Sequence, residues 1–213
     1  SFMRNSDKRP TRIMADGDMR MARPNMICMR LLGAALLAAA PALASAADAP
    51  AVPPAASPFH MGPVFTDFAP VAAVDFDLPI PPHTAFKVLF NAHDGASAGQ
   101  INRVLESAGR FINMHVAAGV PLENIHLAVV VHGPAAWDLV RDDVYRARNN
   151  GTSNASAGPI AELLSHNVDI YLCGQTAAAL GISKDQLLPG VKLSLSAMTA
   201  TALLQQDGYT LNP

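Results

Sequence analysis

The stretch DIYLCGQTAAAL, Asp169–Leu180, decides the fold. An apolar strand runs up to Cys173. Gly174, Gln175 and Thr176 then open a helical run that stops at Gly181. The same succession recurs upstream. FKVLFNA, Phe86–Ala92, is a short apolar run of strand formers, followed by the loop HDGASAGQ, in which Ser97 and Gln100 have capping-box spacing. Apolar residues then return at Ile101, Val104, Leu105, Ala108, Phe111 and Ile112, a helical stripe that ends at Gly119. After the Val120-Pro121 turn, IHLAVVVHG, Ile125–Gly133, predicts a second buried strand.

Pro134 to Val140 predict a short helix that Val144 to Arg148 extend. Arg148 to Gly158 form a polar loop with Asn-x-Ser/Thr sequons at Asn150 and Asn154, which matter only in a eukaryotic secretory route. Pro159 suits the first position of a helix ending at His166, and Val168 to Leu172 give the third strand. Downstream, Ser183 and Gln186 cap one more turn. A fourth strand over Val191–Leu195, an amphipathic helix over Ser196–Gln206 and a short fifth strand over Tyr209–Leu211 complete the chain. Strand and helix alternate throughout, with no internal repeat. The strands are continuous apolar runs, the pattern of strands covered on both faces. The prediction is an α/β fold: an open, mainly parallel sheet of about five strands with helices on both faces.

That domain spans residues 85–213, and three pieces precede it. Residues 1–25 read as an upstream extension, with Met26 and Met29 as alternative starts. Residues 26–46, MICMRLLGAALLAAAPALASA, have a positive flank at Arg30, a ten-residue apolar run and an A-x-A pattern, the layout of a secretory signal peptide. The run falls short of the ~20 residues that span a bilayer. The expectation is an exported chain located in the bacterial periplasm, without stable membrane insertion after cleavage. Residues 47–84 begin as a Pro/Ala-rich spacer and continue as an arm with Phe65, Phe68 and Phe76 among prolines. The arm is too apolar for a free linker. It is expected to pack on the domain or on a neighbouring subunit without regular structure.

Residues 1–46 hold seven of the 15 Lys/Arg and three of the 17 Asp/Glu, leaving the rest with a formal net charge of −6. Phosphate contacts need clustered basic side chains, so a nucleic-acid partner is not expected. Cys28 leaves with the signal, and Cys173 remains alone. Exported proteins commonly carry paired cysteines. A single one pairs between chains, stays buried, or reacts.

In open parallel sheets ligands sit outside the carboxyl ends of the strands. Those ends carry His93, His132, Cys173 and Ser194/Ser196. Cys173 opens a helix, where N–H groups favour an anion and lower a thiol's pKa. Gly174 permits close approach, and Gln175 and Thr176 are placed to donate hydrogen bonds to a sulfur anion. Cys173, His132 and His93 are therefore the candidate catalytic residues, and Gly174, Gln175 and Thr176 the candidate ligand-binding ones. A buried cysteine that only fills space is the competing reading. Cysteine with two histidines also invokes zinc or copper, but no pair has local ligand spacing such as His-x-x-x-His. No metal and no cofactor is expected. Cys-x-x-Cys, Gly-x-Ser-x-Gly, Walker and dinucleotide signatures are missing.

Tyr171 to Tyr209, YLCGQTAAALGISKDQLLPGVKLSLSAMTATALLQQDGY, resembles the exported branch of the DsrE-like (DsrE/DsrF-like) family. The likeness rests on Cys-Gly-Gln-Thr after a strand, Gly-Ile before a Leu-Leu-Pro-Gly-Val segment, and a closing helix before Gly-Tyr. VVVHGPAAWDLV, Val129–Val140, and KVLFNA, Lys87–Ala92, are similar to that family's first strands. The resemblance implies a small α/β fold and a homo-oligomer, commonly a trimer or hexamer. It also implies a cysteine, here Cys173, that in some relatives carries sulfur as a persulfide between donor and acceptor proteins. The function expected is a periplasmic sulfur carrier or sulfurtransferase. The alternative is a non-catalytic ligand-binding or assembly module.

Overall fold

The computed structural model describes residues 56–212, so the expected signal peptide and Cys28 lie outside the described residues. Seven strands and five α-helices follow one another, joined by short 3-10 turns. The arm contributes β1 (Phe59–His60) and β2 (Val71–Ala72), a small antiparallel pair. The domain proper runs β3 (Phe86–Ala92), α1 (Arg103–Ala117), β4 (Ile125–Val131), a 3-10 segment over Gly133–Leu139, and α2 (Asp142–Arg148). It continues with α3 (Ala157–Ser165), β5 (Asp169–Cys173), α4 (Gly174–Leu180), β6 (Lys192–Ser194), α5 (Ala197–Gln206) and β7 (Thr210–Asn212).

The last five strands form one sheet in the order β6-β5-β4-β3-β7, and every neighbouring pair is parallel. This is the open parallel sheet the apolar runs predict. Side chains alternate between its faces. Val88, Phe90, Leu127, Val129 and Val131 enter the larger core with residues of α1, α3, α4 and the arm. Leu89, Ala128 and Val130 enter a smaller one with Ala197, Ala200 and Leu204 of α5. Helices thus cover both faces, but unequally: α5 alone supplies the helical residues of the smaller core.

Local signals misplace several boundaries. α1 starts at Arg103, capped by Asn102, whose Oδ1 accepts the Val104 N–H at 2.9 Å. Ser97 and Gln100 instead close a turn, Gln100 N–H to Ser97 O at 2.9 Å. Asn102 wins because it is fixed from outside the motif: its N–H donates to Ser156 Oγ at 3.0 Å and its Nδ2 to the buried Asp138 carboxylate at 2.7 Å. Pro159 falls inside the first turn of α3, two residues after its start. Asn154 is buried, with Nδ2 donating to Asp138 O and Val140 O at 2.9 Å each, so that sequon is structural.

The arm packs on the domain. Phe65, Phe68, Ala69 and Val71 are buried in the larger core, and the arm contains the β1–β2 pair where no regular structure was expected. Asn113, fully buried on α1, is the clasp. Its Oδ1 accepts the N–H groups of Val64 (3.1 Å) and Phe65 (2.9 Å), and its Nδ2 donates to Phe65 O and Ala69 O at 3.0 Å each.

Candidate functional site

The sheet order places the site. α1, α3 and α4 lie on one face, so the connections leaving β3, β4 and β5 turn to that side. The chain leaving β6 turns to the other face to form α5. The exits from β5 and β6 therefore diverge, and a crevice opens between their carboxyl ends, as at the switch points of doubly wound sheets. Cys173, the last residue of β5, stands at that crevice, paired in register with Ser194 of β6.

The crevice is a cleft of about 480 Å³. Asn91, His132 and Cys173 reach it from the ends of β3, β4 and β5, Gln175 and Thr176 from α4, and α5 forms the opposite wall through Met198, Thr201, Ala202 and Gln205. Gly174 is the joint between β5 and α4. A Cβ there would sit 2.5 Å from Ser194 O and 3.1 Å from Leu195 O, so the backbone approached by Gly174 is the chain's own. Gly174→Ala is expected to cost roughly 1–3 kcal/mol, the usual range for overpacking, read as a lower midpoint of thermal unfolding.

Cys173 is the free cysteine of the described residues and is 6% exposed. Burial pushes its thiol up, since the charged form is withdrawn from water. Four donors oppose this: the Thr176 N–H, the Thr176 hydroxyl, the Ala197 N–H and the Gln175 N–H. They win, and the thiol pKa lies below the ordinary cysteine value. The amides belong to the starts of two helices, α4 and α5, so two sets of unsatisfied N–H groups converge on one sulfur. Thr176 Oγ1 itself accepts the Gly133 N–H at 3.2 Å, which leaves its own proton for sulfur. Thr176→Val keeps the shape and removes that donor. A hydrogen bond to a charged group contributes about 1.5 kcal/mol or more. The rate of Cys173 alkylation just below neutral pH is thus expected to fall roughly tenfold, with the pH profile displaced upward. An unmoved profile overturns this.

His132 donates Nε2–H to Asn91 Oδ1 at 2.8 Å, which leaves Nδ1 unprotonated on the neutral ring. Burial, and then the neighbouring His93, lower its pKa, so the neutral ring prevails at pH 7. His93 is not in the cleft lining. Its ring meets that of His132 edge-on with centroids 5.0 Å apart, and its Nδ1 pairs with the exposed Asp94 carboxylate at 2.9 Å. The structure therefore brings Cys173, His132, Gln175 and Thr176 to one cleft and sets His93 one residue behind. The Gln175 side chain turns to Leu195 O at 3.3 Å; its backbone N–H is the group on sulfur. Ser194 and Ser196 serve the backbone: Ser194 Oγ donates to Leu172 O and Ser196 O, and Ser196 Oγ caps α5 by accepting the Thr199 N–H.

Asn91 and the Ala197 amide escape a reading by motif. Asn91 does leave a mark, as the one polar residue near the end of an apolar strand. The amide leaves none, since a backbone donor is independent of its side chain. No cluster of three or more His, Cys, Asp or Glu side chains arranged for a metal occurs among the described residues. No helix of these residues is long and apolar enough to cross a membrane.

Among curated proteins none matches the chain. Solved structures similar to the chain include the following two. A protein of unknown function from Methanobacterium thermoautotrophicum, MTH1491, is 22% identical, with 60% of this chain and 97% of that one covered at a TM-score of 0.46. The ychN protein from E. coli is 17% identical, with 59% and 96% covered at a TM-score of 0.44. The DsrE/DsrF-like family model matches residues 85–213, from just before β3 to the end of the chain. With more than half of its length matched by that model, the chain belongs to the DsrE/DsrF-like family.

Proposed function

We propose that this protein is an exported sulfur carrier in which Cys173 holds sulfane sulfur as a persulfide. The family is linked to sulfur relay. The observation that carries the reading is the position of Cys173 where the starts of α4 and α5 meet, with donors facing its sulfur that lower its pKa in spite of burial, in the lining of a cleft that also holds a neutral imidazole. The thiolate is the attacking species. It displaces a thiolate from a hydropersulfide: Cys–S⁻ + R–S–SH gives Cys–S–SH + R–S⁻. The S–S bond of the donor breaks as the new one forms, and no outside oxidant or reductant enters. His132 is the ionisable group that shares the cleft with Cys173 and takes the thiol proton; the amides of Gln175, Thr176 and Ala197 hold the sulfur anion. The lining contains no Lys or Arg among the described residues, which favours a hydropersulfide of low charge, on a small molecule or a partner protein, over a dianion such as thiosulfate. The signal-peptide layout of residues 26–46 supports a periplasmic location.

The test is incubation of the reduced protein with an alkyl hydropersulfide, the donor of the step above, followed by intact-mass analysis and peptide mapping. Gain of one sulfur atom on Cys173, reversed by a dithiol reductant, is expected. Absence of any sulfur adduct there sinks the reading. A second reading rests on a separate observation. Leu195 (72% exposed) and Met198 (80%) stand beside the cleft, an apolar rim of the kind that marks an interface. In that reading the rim seats another subunit of a homo-oligomer, trimer or hexamer, or a sulfur-relay partner.

A further inference from the structure

A second concavity lies between the C-terminal half of α1 and the arm. α1 runs back along the sheet from the carboxyl end of β3 to the start of β4, so this groove is near the sheet edge opposite Cys173. Its volume is about 580 Å³, and its walls are mostly apolar and aromatic. After β2 the chain alternates. Val74, Phe76, Leu78 and Ile80 line the groove, while Asp75 and Asp77 do not. That is the two-residue period of an extended segment presenting one apolar face, yet no strand of the described residues pairs with it. Val74 stays 69% exposed and Leu78 84%. Such an apolar wall on a surface marks a binding region.

Arg110 supplies the polar group. Its guanidinium makes no hydrogen bond or ion pair with any described residue, and its Nε is buried without an acceptor among them. Its guanidinium carbon lies 5.4 Å from the centroid of the Phe59 ring, which also lines the groove. A desolvated guanidinium N–H without an acceptor is costly, and its best partner is a carboxylate or similar oxyanion. No Asp or Glu of the described residues lines the groove. The two histidines there are engaged, His60 Nδ1 with Met61 O at 2.9 Å and His115 Nδ1 with Phe111 O at 2.7 Å. A concave, largely apolar site with one convergent cation has the make-up of a small-molecule site. An anionic occupant is favoured, since the described lining offers the Arg110 guanidinium and no carboxylate.

We propose that this groove binds a monoanionic amphiphile, with its carboxylate on Arg110 and its hydrocarbon chain along Phe59, Val74, Phe76 and Met114. The site is separate from Cys173 and does not depend on sulfur chemistry.

The test is calorimetric titration of the purified protein with decanoate, decanol and decyltrimethylammonium. Saturable one-to-one binding of decanoate is expected, tighter than decanol and much tighter than the cation. Arg110→Gln is expected to weaken decanoate at least tenfold, the equivalent of one charge-assisted contact, and to leave decanol unchanged. Phe76→Ala is expected to weaken both and to keep the preference between them. Equal affinity for decanoate and decyltrimethylammonium on the unaltered protein overturns the proposal, whether or not either variant folds. So does a lack of saturable binding, or an oligomer that dissociates in Phe76→Ala, which would assign the face to a subunit seam.

Discussion

Cys173→Ser protein treated with an alkyl hydropersulfide is expected to gain no sulfur at that position, where the unaltered protein gains one atom. A serine hydroxyl in the same cradle meets the same donors, but it is not a nucleophile toward sulfane sulfur, whereas a thiolate is. The loss is therefore complete. Peptide mapping excludes any contribution from Cys28, which lies outside the described residues. The replacement puts a hydroxyl where a 6% exposed thiol was. Thr176 Oγ1 and the amides around it give that hydroxyl partners, so the fold is expected to lose no more than about 1 kcal/mol. A matching melt separates lost chemistry from lost structure, and Cys173→Ala repeats the test without a polar substituent. Sulfur on the serine protein at the unaltered level, with the same mapped peptide, would show that the adduct was never on Cys173.

The pH dependence of loading follows from the same geometry. The donors on Cys173 hold its pKa below the ordinary value, so the thiolate persists to lower pH than in a free cysteine. His132 works in the opposite sense for stability. Its folded pKa is depressed by burial and by His93, so the unfolded chain takes up that proton first as pH falls. The contribution of neutral His132 is present above the unfolded value near 6.5 and is lost as pH falls through the folded one. The first effect extends loading to lower pH, and the second weakens the fold as pH falls below about 6.5.

The architecture was legible because it is written in periodicity. Runs such as Leu127–Val131 are apolar at consecutive positions, the pattern of strands covered on both faces. Cys173 was legible as a position, the last residue of a strand before a glycine and a helix. Its surroundings were not. Periodicity does not say which face each connection takes, and the crevice exists because α4 and α5 take different ones. The Ala197 amide comes from a residue 24 positions downstream and carries no side-chain signature. His93 and His132 looked equivalent as strand-end histidines. The register places Ala92 opposite Val131, so both follow paired strand ends, yet only His132 lines the cleft. Ser97 and Gln100 failed as a cap for a related reason: Asp138 and Ser156 secure Asn102 from far along the chain.

Asn113 was hidden in the stripe that predicted α1, beside Ile112, and the largest loss of stability is expected there. Its amide uses two acceptor and two donor positions on four backbone groups of the arm, the full capacity of the side chain. Gly62 lies so close that an added Cβ would be 2.1 Å from Asn113 Cγ, so the arm is moulded to this one residue. Asn113→Ala leaves those four groups without partners inside the protein. An abandoned buried polar group costs ~1–3 kcal/mol, but the sum is capped, because the arm can lift off and hydrate them. Lifting exposes Phe65, Phe68 and Val71, each worth roughly 2 kcal/mol of burial. The smaller of the two losses governs, offset in part by the conformational entropy the freed arm regains, and an overall destabilisation of about 3–5 kcal/mol is expected. Limited proteolysis should cut first between residues 62 and 72. Asn113→Asp, the same size, tests whether polarity or volume matters: it retains the acceptors, loses both donors and sets a carboxylate against two carbonyl oxygens. It should destabilise at least as much. If both variants melt within about 0.5 kcal/mol of the parent, with the arm still protected from protease, the clasp is incidental and the arm is held by its phenylalanines alone. If the arm does lift, decanoate binding should disappear with it, since one wall of the Arg110 groove is the arm itself.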